Sequence, residues 1–292
     1  MMNSKRGITR ETNQIRIAIP NKGRLSEMAH NLLRQVGLQF EAHDRKLSAT
    51  LRNMPGEVLY LRAGDIPRYV AEDRVDLAIT GRDLVEEYHL PVQVFLDLGF
   101  GHTDLVVAVP EGSGITDVKQ LQGKTVATTF PRLARKFLKK LDVEVDLVML
   151  GGAVEAAPMT GLADAIIDLV ASGSTLRMNN LVPIETLMHS EAVLIGRMNP
   201  PAASKHLVDT LVTRMESVVR ASKKRYIMMN APAKKLEEIK KVAPGLASPT
   251  VMTLTEPGMI AVHSVVDAAD VWDIVDKLRK IGASGILVLP VE

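Results

Sequence analysis

Short apolar runs alternate with stretches of helical period along most of the chain, the pattern of an α/β protein. Ile15–Ile19 reads as a strand. Leu25, Met28, Leu32, Leu33 and Val36 then recur at helical spacing until Gly37 stops the run. Val58–Leu61 and Asp76–Thr80 read as further strands, and Gly81 marks the turn into a helix around Leu84. Asp65-Ile66-Pro67 predicts a short helix with Asp65 as N-cap and proline in its first turn. Strands follow over Asp104–Val109, Lys124–Thr129, Val143–Leu150 and Ala165–Val170, with a basic-faced helix at Pro131–Leu141. The stretch 176–189 reads as a crossover leading to one more apolar run, Ala192–Ile195.

After Pro200-Pro201 a helical stretch reaches about Ser222, and the remainder has its own order. Strand Tyr226–Asn230, helix Pro232–Val242, strand Thr250–Thr255, strand Met259–Val265, helix Ala268–Ile281 and strand Gly285–Val291 make a βαββαβ unit, the ferredoxin-like arrangement. Glu256-Pro257-Gly258 is the hairpin turn between its middle strands. The expected organisation is a flexible tail over 1–14, one α/β lobe over 15–103, a second over 104–189, a linker helix over 201–222 and the third unit over 223–292. Residues 190–200 are expected to return to the first lobe, a step periodicity itself does not dictate. Two such lobes would enclose a ligand cleft.

Composition narrows the ligand. Lys plus Arg total 36 against 34 Asp plus Glu, so a net charge of +2 supplies no broad basic field for nucleic acid. Aromatic residues are only 3%, too few for a stacking platform. The absence of cysteine excludes disulfides, thiolate metal sites and cysteine nucleophiles, and fits a cytoplasmic protein. No apolar run approaches the ~18 residues of a membrane span, and the polar start is no secretory signal. None of the seven histidines stands at metal-ligand spacing, so no zinc site is expected. The charge balance favours a small anionic ligand over a polymer.

One segment carries chemistry suited to it. Asp164-Ala165-Ile166-Ile167-Asp168-Leu169-Val170 has strand propensity, and the polar turn Ala171-Ser172-Gly173-Ser174-Thr175 follows directly. Residues four apart on a strand share a face, so Asp164 and Asp168 would point the same way, and carboxylates are strong acceptors for ribose hydroxyls. The turn offers backbone N–H groups freed by Gly173 and three hydroxyls, a nest for a phosphate monoester. The plainer reading is a strand ending in an ordinary turn, with one aspartate capping a neighbour. The turn lacks the full Walker pattern, so it gives no support to a nucleotide-hydrolysing P-loop. Lys22, Gly23 and Arg24 stand where a strand meets a helix start, an anion site or simply a charged loop. Arg62 follows a strand and is a second candidate for phosphate. Asp65 reads as a cap before it reads as a ligand, and Glu155 as a helix-start carboxylate or a site organiser.

The neighbours of that segment matter. Gly151-Gly152-Ala153-Val154-Glu155-Ala156-Ala157-Pro158 precedes it and Leu176-Arg177-Met178-Asn179-Asn180-Leu181 follows. With Ile17-Ala18-Ile19-Pro20-Asn21-Lys22-Gly23-Arg24-Leu25, Asp65-Ile66-Pro67 and Val75-Asp76-Leu77-Ala78-Ile79-Thr80-Gly81, these stretches closely resemble the ATP phosphoribosyltransferase family. Ser248-Pro249-Thr250-Val251 and Glu256-Pro257-Gly258-Met259-Ile260-Ala261-Val262 resemble the regulatory domain of its long form. The resemblance runs from about residue 15 to the end. It implies a two-lobed, periplasmic-binding-protein-like catalytic region and a ferredoxin-like regulatory domain. It also implies transfer of a phosphoribosyl group from phosphoribosyl pyrophosphate to adenine N1 of ATP, assisted by Mg²⁺, in histidine biosynthesis. By the same resemblance Ala171, Ser172, Gly173, Ser174 and Thr175 hold the 5-phosphate, Asp164 and Asp168 face the ribose, and Glu155 helps organise the donor. Lys22, Gly23, Arg24, Arg45, Arg62 and Asp65 line the ATP side. Histidine feedback through Ser248, Thr250 and Leu254, and a homo-oligomer of two or six chains, are implied as well. The alternatives are a non-catalytic solute-binding protein, since two lobes around a cleft also describe such receptors, and an amino-acid sensor with inactive lobes.

Overall fold

The computed structural model describes residues 14–41 and 46–291. The tail expected over 1–14, apart from Gln14, and the candidate Arg45 lie outside the described residues. The chain forms two compact units, one ending at Val212 and the other beginning at Thr213.

In chain order the first unit begins β1 (Ile15–Pro20), α1 (Arg24–Gln35), β2 (Ser48–Thr50) and β3 (Gly56–Leu61). It continues with α2 (Ile66–Ala71), β4 (Leu77–Gly81), α3 (Arg82–Tyr88) and β5 (Val92–Asp97). Then come β6 (Thr103–Pro110), β7 (Thr125–Thr128), α4 (Pro131–Lys140), β8 (Asp146–Met149) and β9 (Ala165–Val170). It closes with α5 (Ser174–Met178), β10 (Leu181–Ser190) and β11 (Ala192–Arg197), before the long helix α6 (Ala202–Ser222).

Two sheets divide these strands. One runs β2-β3-β1-β4-β11-β5 and the other β10-β6-β9-β7-β8. Ile15, Ile17, Ala18 and Ile19 of β1 have no exposed surface, and every residue of β4 and β11 is buried. Strands covered on both faces need continuous apolar runs, which is why these read clearly in the sequence. The run Ala192–Ile195 lies within β11, which pairs antiparallel with β4 and β5. Arg197 at its end anchors it: Nε donates to Asp73 Oδ1 at 2.7 Å, Nη2 to the Asp73 carbonyl at 2.8 Å and Nη1 to Asp76 Oδ1 at 3.4 Å.

The chain passes between the sheets twice, at 98–102 and at Glu191. Leu98 N–H donates to the Ala192 carbonyl at 3.0 Å, and Ala192 N–H to that of Phe100 at 2.9 Å. The two crossings thus lie side by side as a hinge.

Three strands were not evident from sequence: β2, β5 and β10. The stretch 176–189, expected to be a crossover, is instead α5 followed by the ten-residue edge strand β10. Pro183 and two register shifts along its pairing with β6 break its alternation, as an edge strand permits. Asp65 precedes α2 but does not cap it by its side chain, because its backbone is already helical (φ −86°, ψ −23°). Only its carbonyl engages the first turn, accepting from Arg68 and Tyr69 N–H at 3.1 and 3.2 Å.

The second unit runs β12 (Lys224–Pro232), α7 (Leu236–Val242), β13 (Thr250–Thr253), β14 (Met259–Asp267), α8 (Val271–Ile281) and β15 (Ser284–Pro290). Its antiparallel sheet has the order β13-β14-β12-β15, the ferredoxin-like topology. Ile227, Met229 and Ala231 alternate inward from β12 and pack with Ile239, Val262, Val275 and Leu278. Gly258 takes φ +80° in the hairpin turn.

Candidate active site

Loops that follow the carboxyl ends of parallel strands are where an open α/β sheet gathers its ligand groups. β7, β8 and β9 are parallel neighbours, and the stretches after β8 and β9 carry Glu155 and the polar turn. The short 3-10 helix Val154–Ala156 sets Glu155, with Ala153 ahead of it in a left-handed conformation (φ +49°). Gly173 is left-handed too (φ +71°, ψ 3°), which turns the chain from β9 into α5. Arg177 N–H donates back to the Gly173 carbonyl at 3.1 Å, and the Ser172 and Ser174 hydroxyls are 2.9 Å apart. No side chain caps α5.

These parts meet around a cavity of about 290 Å³. Asp168, Glu155 and the run Leu169–Leu176 line it from the second lobe, and Arg24 lines it from the first. Asp168 Oδ1 accepts from Leu169 N–H at 2.9 Å. Burial raises the Asp168 carboxyl above the usual aspartate range; the Leu169 hydrogen bond works against that and the Glu155 charge adds to it.

A second cavity, of about 610 Å³, shares Arg24 and Leu169 with the first. Leu25, Met28, Leu84 and Phe100 make its wall largely apolar, and Asp83 supplies a carboxylate. Asp83 is buried, and burial raises its pKa while a hydrogen bond from Ser190 offsets part of the rise. Neither Asp83 nor Phe100 stood out in the sequence. The usable signal was Gly81-Arg82-Asp83 at the end of an apolar strand, the same strand-to-helix junction that singled out Lys22–Arg24.

The other candidates lie elsewhere. Asp164 precedes β9 at the end opposite the turn, and its Oδ2 accepts from Thr125 N–H at 2.9 Å. The shared-face argument put it beside Asp168, but four residues of strand separate them by about 13 Å, farther than one ribose reaches. The hydrogen bond from Thr125 ties the start of β9 to β7, and Asp164 does not line the cavity that Asp168 lines. Lys22 and Arg62 are exposed and, like Asp65, line neither cavity; Gly23 (φ +80°) forms the bend that presents Arg24. Arg132, Arg135, Lys136, Lys139 and Lys140 are exposed along α4, a solvated face. In the second unit, Ser248 and Thr250 are exposed, Thr250 pairs with His263 across the β13–β14 ladder, and Leu254 N–H donates to the Met259 carbonyl at 3.2 Å.

The family model HisG, ATP phosphoribosyltransferase, matches residues 62–217, and that of the HisG C-terminal domain matches 221–292. The ATP phosphoribosyltransferase of Methanosarcina mazei is 42% identical over 285 residues, covering 95% of this chain and 98% of that protein. That of Bacteroides fragilis is 42% identical over 278 residues with the same coverage. An ATP phosphoribosyl transferase (HisG:HisZ) complex from Thermotoga maritima superposes with a TM-score of 0.60 at 24% identity, over 70% of this chain and 98% of that one, a likeness of fold. The chain belongs to the ATP phosphoribosyltransferase family, in the long form that carries a C-terminal domain.

Proposed function

We propose that the cavity behind Ala171–Thr175 holds phosphoribosyl pyrophosphate and that the larger one holds ATP, so that adenine N1 attacks C1 of the ribose and pyrophosphate leaves. The observation that carries this is the meeting of the polar turn, Glu155 and Asp168 with Arg24 of the other lobe around one cavity. The turn's N–H groups and hydroxyls suit the 5-phosphate, and Asp168 and Glu155 suit the ribose hydroxyls. The apolar wall of Leu25, Met28 and Phe100 suits a purine face, and Asp83 can accept from its amino group. Arg24 lines both cavities, where pyrophosphate and the ATP phosphates would come closest. Adenine N1 carries no proton, so the reaction asks for position and field rather than a strong base.

Mg²⁺ fits this donor set in a limited way. Among the described residues no group of three or more His, Asp or Glu side chains could hold a metal. Glu155 and Asp168 could complete an oxygen shell supplied mainly by pyrophosphate and water. Bound there, the ion would neutralise charge on the leaving group.

On this reading lobes 15–103 and 104–189, with 190–200 completing the first, form the catalytic region. Helix 201–222 links it to a regulatory domain, 223–292. Histidine would act through the edge near Ser248, Thr250 and Leu254, in a dimer or hexamer. No described helix is long and apolar enough to cross a membrane, and the enzyme would work in the cytoplasm, where ATP is abundant. Protein mixed with ATP, phosphoribosyl pyrophosphate and Mg²⁺ should form N1-ribosylated ATP, followed by its ultraviolet absorbance, and histidine should slow that rate. No product would sink the placement of substrates, and an undiminished rate would sink the feedback.

A further inference from the structure

The two lobes of the first unit share one short helix. α3 follows β4 and by chain order belongs to the first lobe. Val85 packs against that lobe's core of Ile66, Val70 and Val193, yet Leu84 packs against the second lobe's core of Leu105, Leu133 and Ile167. Neighbouring residues on a helix point about 100° apart, so a single turn is seated in both cores. Both ends of the helix are also tied across to elements of the second sheet's layer, the start to Ser190, the last residue of β10, and the far end to α4. At the start, Asp83 N–H donates to Ser190 Oγ at 3.0 Å and the Ser190 hydroxyl donates to Asp83 Oδ1 at 2.6 Å, beside the hinge. At the far end, the Glu87 carboxylate accepts from Arg132 N–H and Leu133 N–H, each at 2.9 Å.

Those two N–H groups open α4. Its N-cap is Phe130, which has no acceptor, so the first turn of α4 takes its cap from the other lobe. Charge-assisted bonds of this kind are short and directional. Lys136 adds a looser pair with Glu86 at 3.6 Å. Two adjacent chain crossings leave a hinge free to rotate; a third attachment off the axis removes that freedom. Glu87 lies four residues, about 6 Å of helix rise, from the Asp83–Ser190 pair at the hinge.

We infer that Glu87 is a positioning residue for the transfer: by capping α4 from α3 it fixes the angle between the lobes, and so the separation of Arg24 from the turn Ala171–Thr175. This rests on the placement of the substrates in the two cavities. Glu87 lines neither and touches no substrate there. A displacement of about 1 Å between reacting parts is enough to cost up to ~10²-fold in rate.

The chain has no cysteine, so Gln35→Cys and Lys119→Cys, exposed sites one per lobe, can carry spin labels in the full-length enzyme. In samples diluted with unlabelled protein, Glu87→Ala should broaden or shift the distance distribution between the labels without substrates. KM for both substrates should rise roughly 10-fold, with kcat changed less because bound substrates refasten the lobes. Glu87→Gln keeps one acceptor oxygen and should fall between, and it serves where Glu87→Ala does not fold. An unchanged distance distribution in a folded Glu87 variant overturns the clamp, whatever the activity. A changed distribution with unchanged KM keeps the clamp but overturns the positioning role, because the substrates then do not span the two lobes.

Discussion

Replacing Gly173 tests the donor site with the least ambiguity. The residue is left-handed (φ +71°), and a Cβ there would lie 3.1 Å from Arg177 Nη1 and 3.9 Å from Val170 Cγ1. Alanine meets the conformational penalty of ~1–2 kcal/mol and a contact that a flexible guanidinium can relieve. Valine adds a branch at Cβ that resists this backbone more strongly, so the turn should swing out of the left-handed region and re-aim its N–H groups. Losing two charge-assisted hydrogen bonds at roughly 1.5–3 kcal/mol each removes about 3–6 kcal/mol of binding, or 10²–10⁴-fold in affinity. The folding cost of ~1–2 kcal/mol corresponds to a drop of roughly 2–8 °C in melting temperature for a unit of this size. Calorimetric titration with phosphoribosyl pyrophosphate, beside a thermal melt, separates the two effects. Gly173→Val with wild-type affinity would refute the phosphate turn, and a melt lowered far more than Gly173→Ala explains would refute the claim that the change stays local.

Two other substitutions probe the charge in this unit. The Asp168 pKa is raised from its ordinary 3.8, chiefly by burial, so the folded state holds the proton more tightly than the unfolded chain. Its contribution to stability is therefore fully present below the ordinary value and is lost as pH rises through the raised one. Asp168→Asn should raise the melting temperature at pH 7 relative to wild type while lowering turnover about 10²-fold; unchanged turnover would leave Asp168 with only a structural role. Arg197→Met should destabilise the first unit by about 3 kcal/mol, roughly 6–12 °C in melting temperature, because the fully buried Asp76 carboxylate loses its guanidinium. A shift under about 2 °C would mean that the ion pair does not hold β11.

What the sequence revealed followed burial. β1, β4 and β11 are covered on both faces, so their apolar runs are unbroken and their existence was legible. The βαββαβ order of the second unit was equally plain, since one buried face and turn residues such as Gly258 punctuate it. β10 was hidden because an edge strand with irregular pairing needs no alternation. The polar turn after β9 was visible as a cluster of glycine and hydroxyls, and the family resemblance turned it from an ordinary turn into a candidate. Asp164 lies outside the cavity that Asp168 lines because periodicity reports which face a side chain takes, not how far along the strand a ligand extends. Asp83 and Glu87 were opaque for another reason. Their hydrogen-bond partners lie more than forty residues away, at Ser190 and at the start of α4. Family membership also sets aside the solute-binding and sensing alternatives in favour of the enzyme.

The charge pattern around Asp168 gives the proposed placement its physical sense. Burial and the neighbouring Glu155 both make an ionised Asp168 unfavourable in the free protein, and only the Leu169 N–H opposes them. A positive charge entering the cavity would reverse each effect: the carboxylates would gain a counter-charge in a site where water screens little. Ribose C1 acquires such charge only as pyrophosphate departs. A carboxylate held nearby at a cost in the resting protein, as Asp168 is, would thus favour the transition state over the bound donor, which is what raises turnover rather than affinity alone. Arg24, lining the same cavity from the other lobe, has the opposite sign and suits the departing phosphates. On that placement the transfer would depend on keeping the two signs a fixed distance apart, a distance that the proposed clamp through Asp83 and Glu87 would set between the lobes.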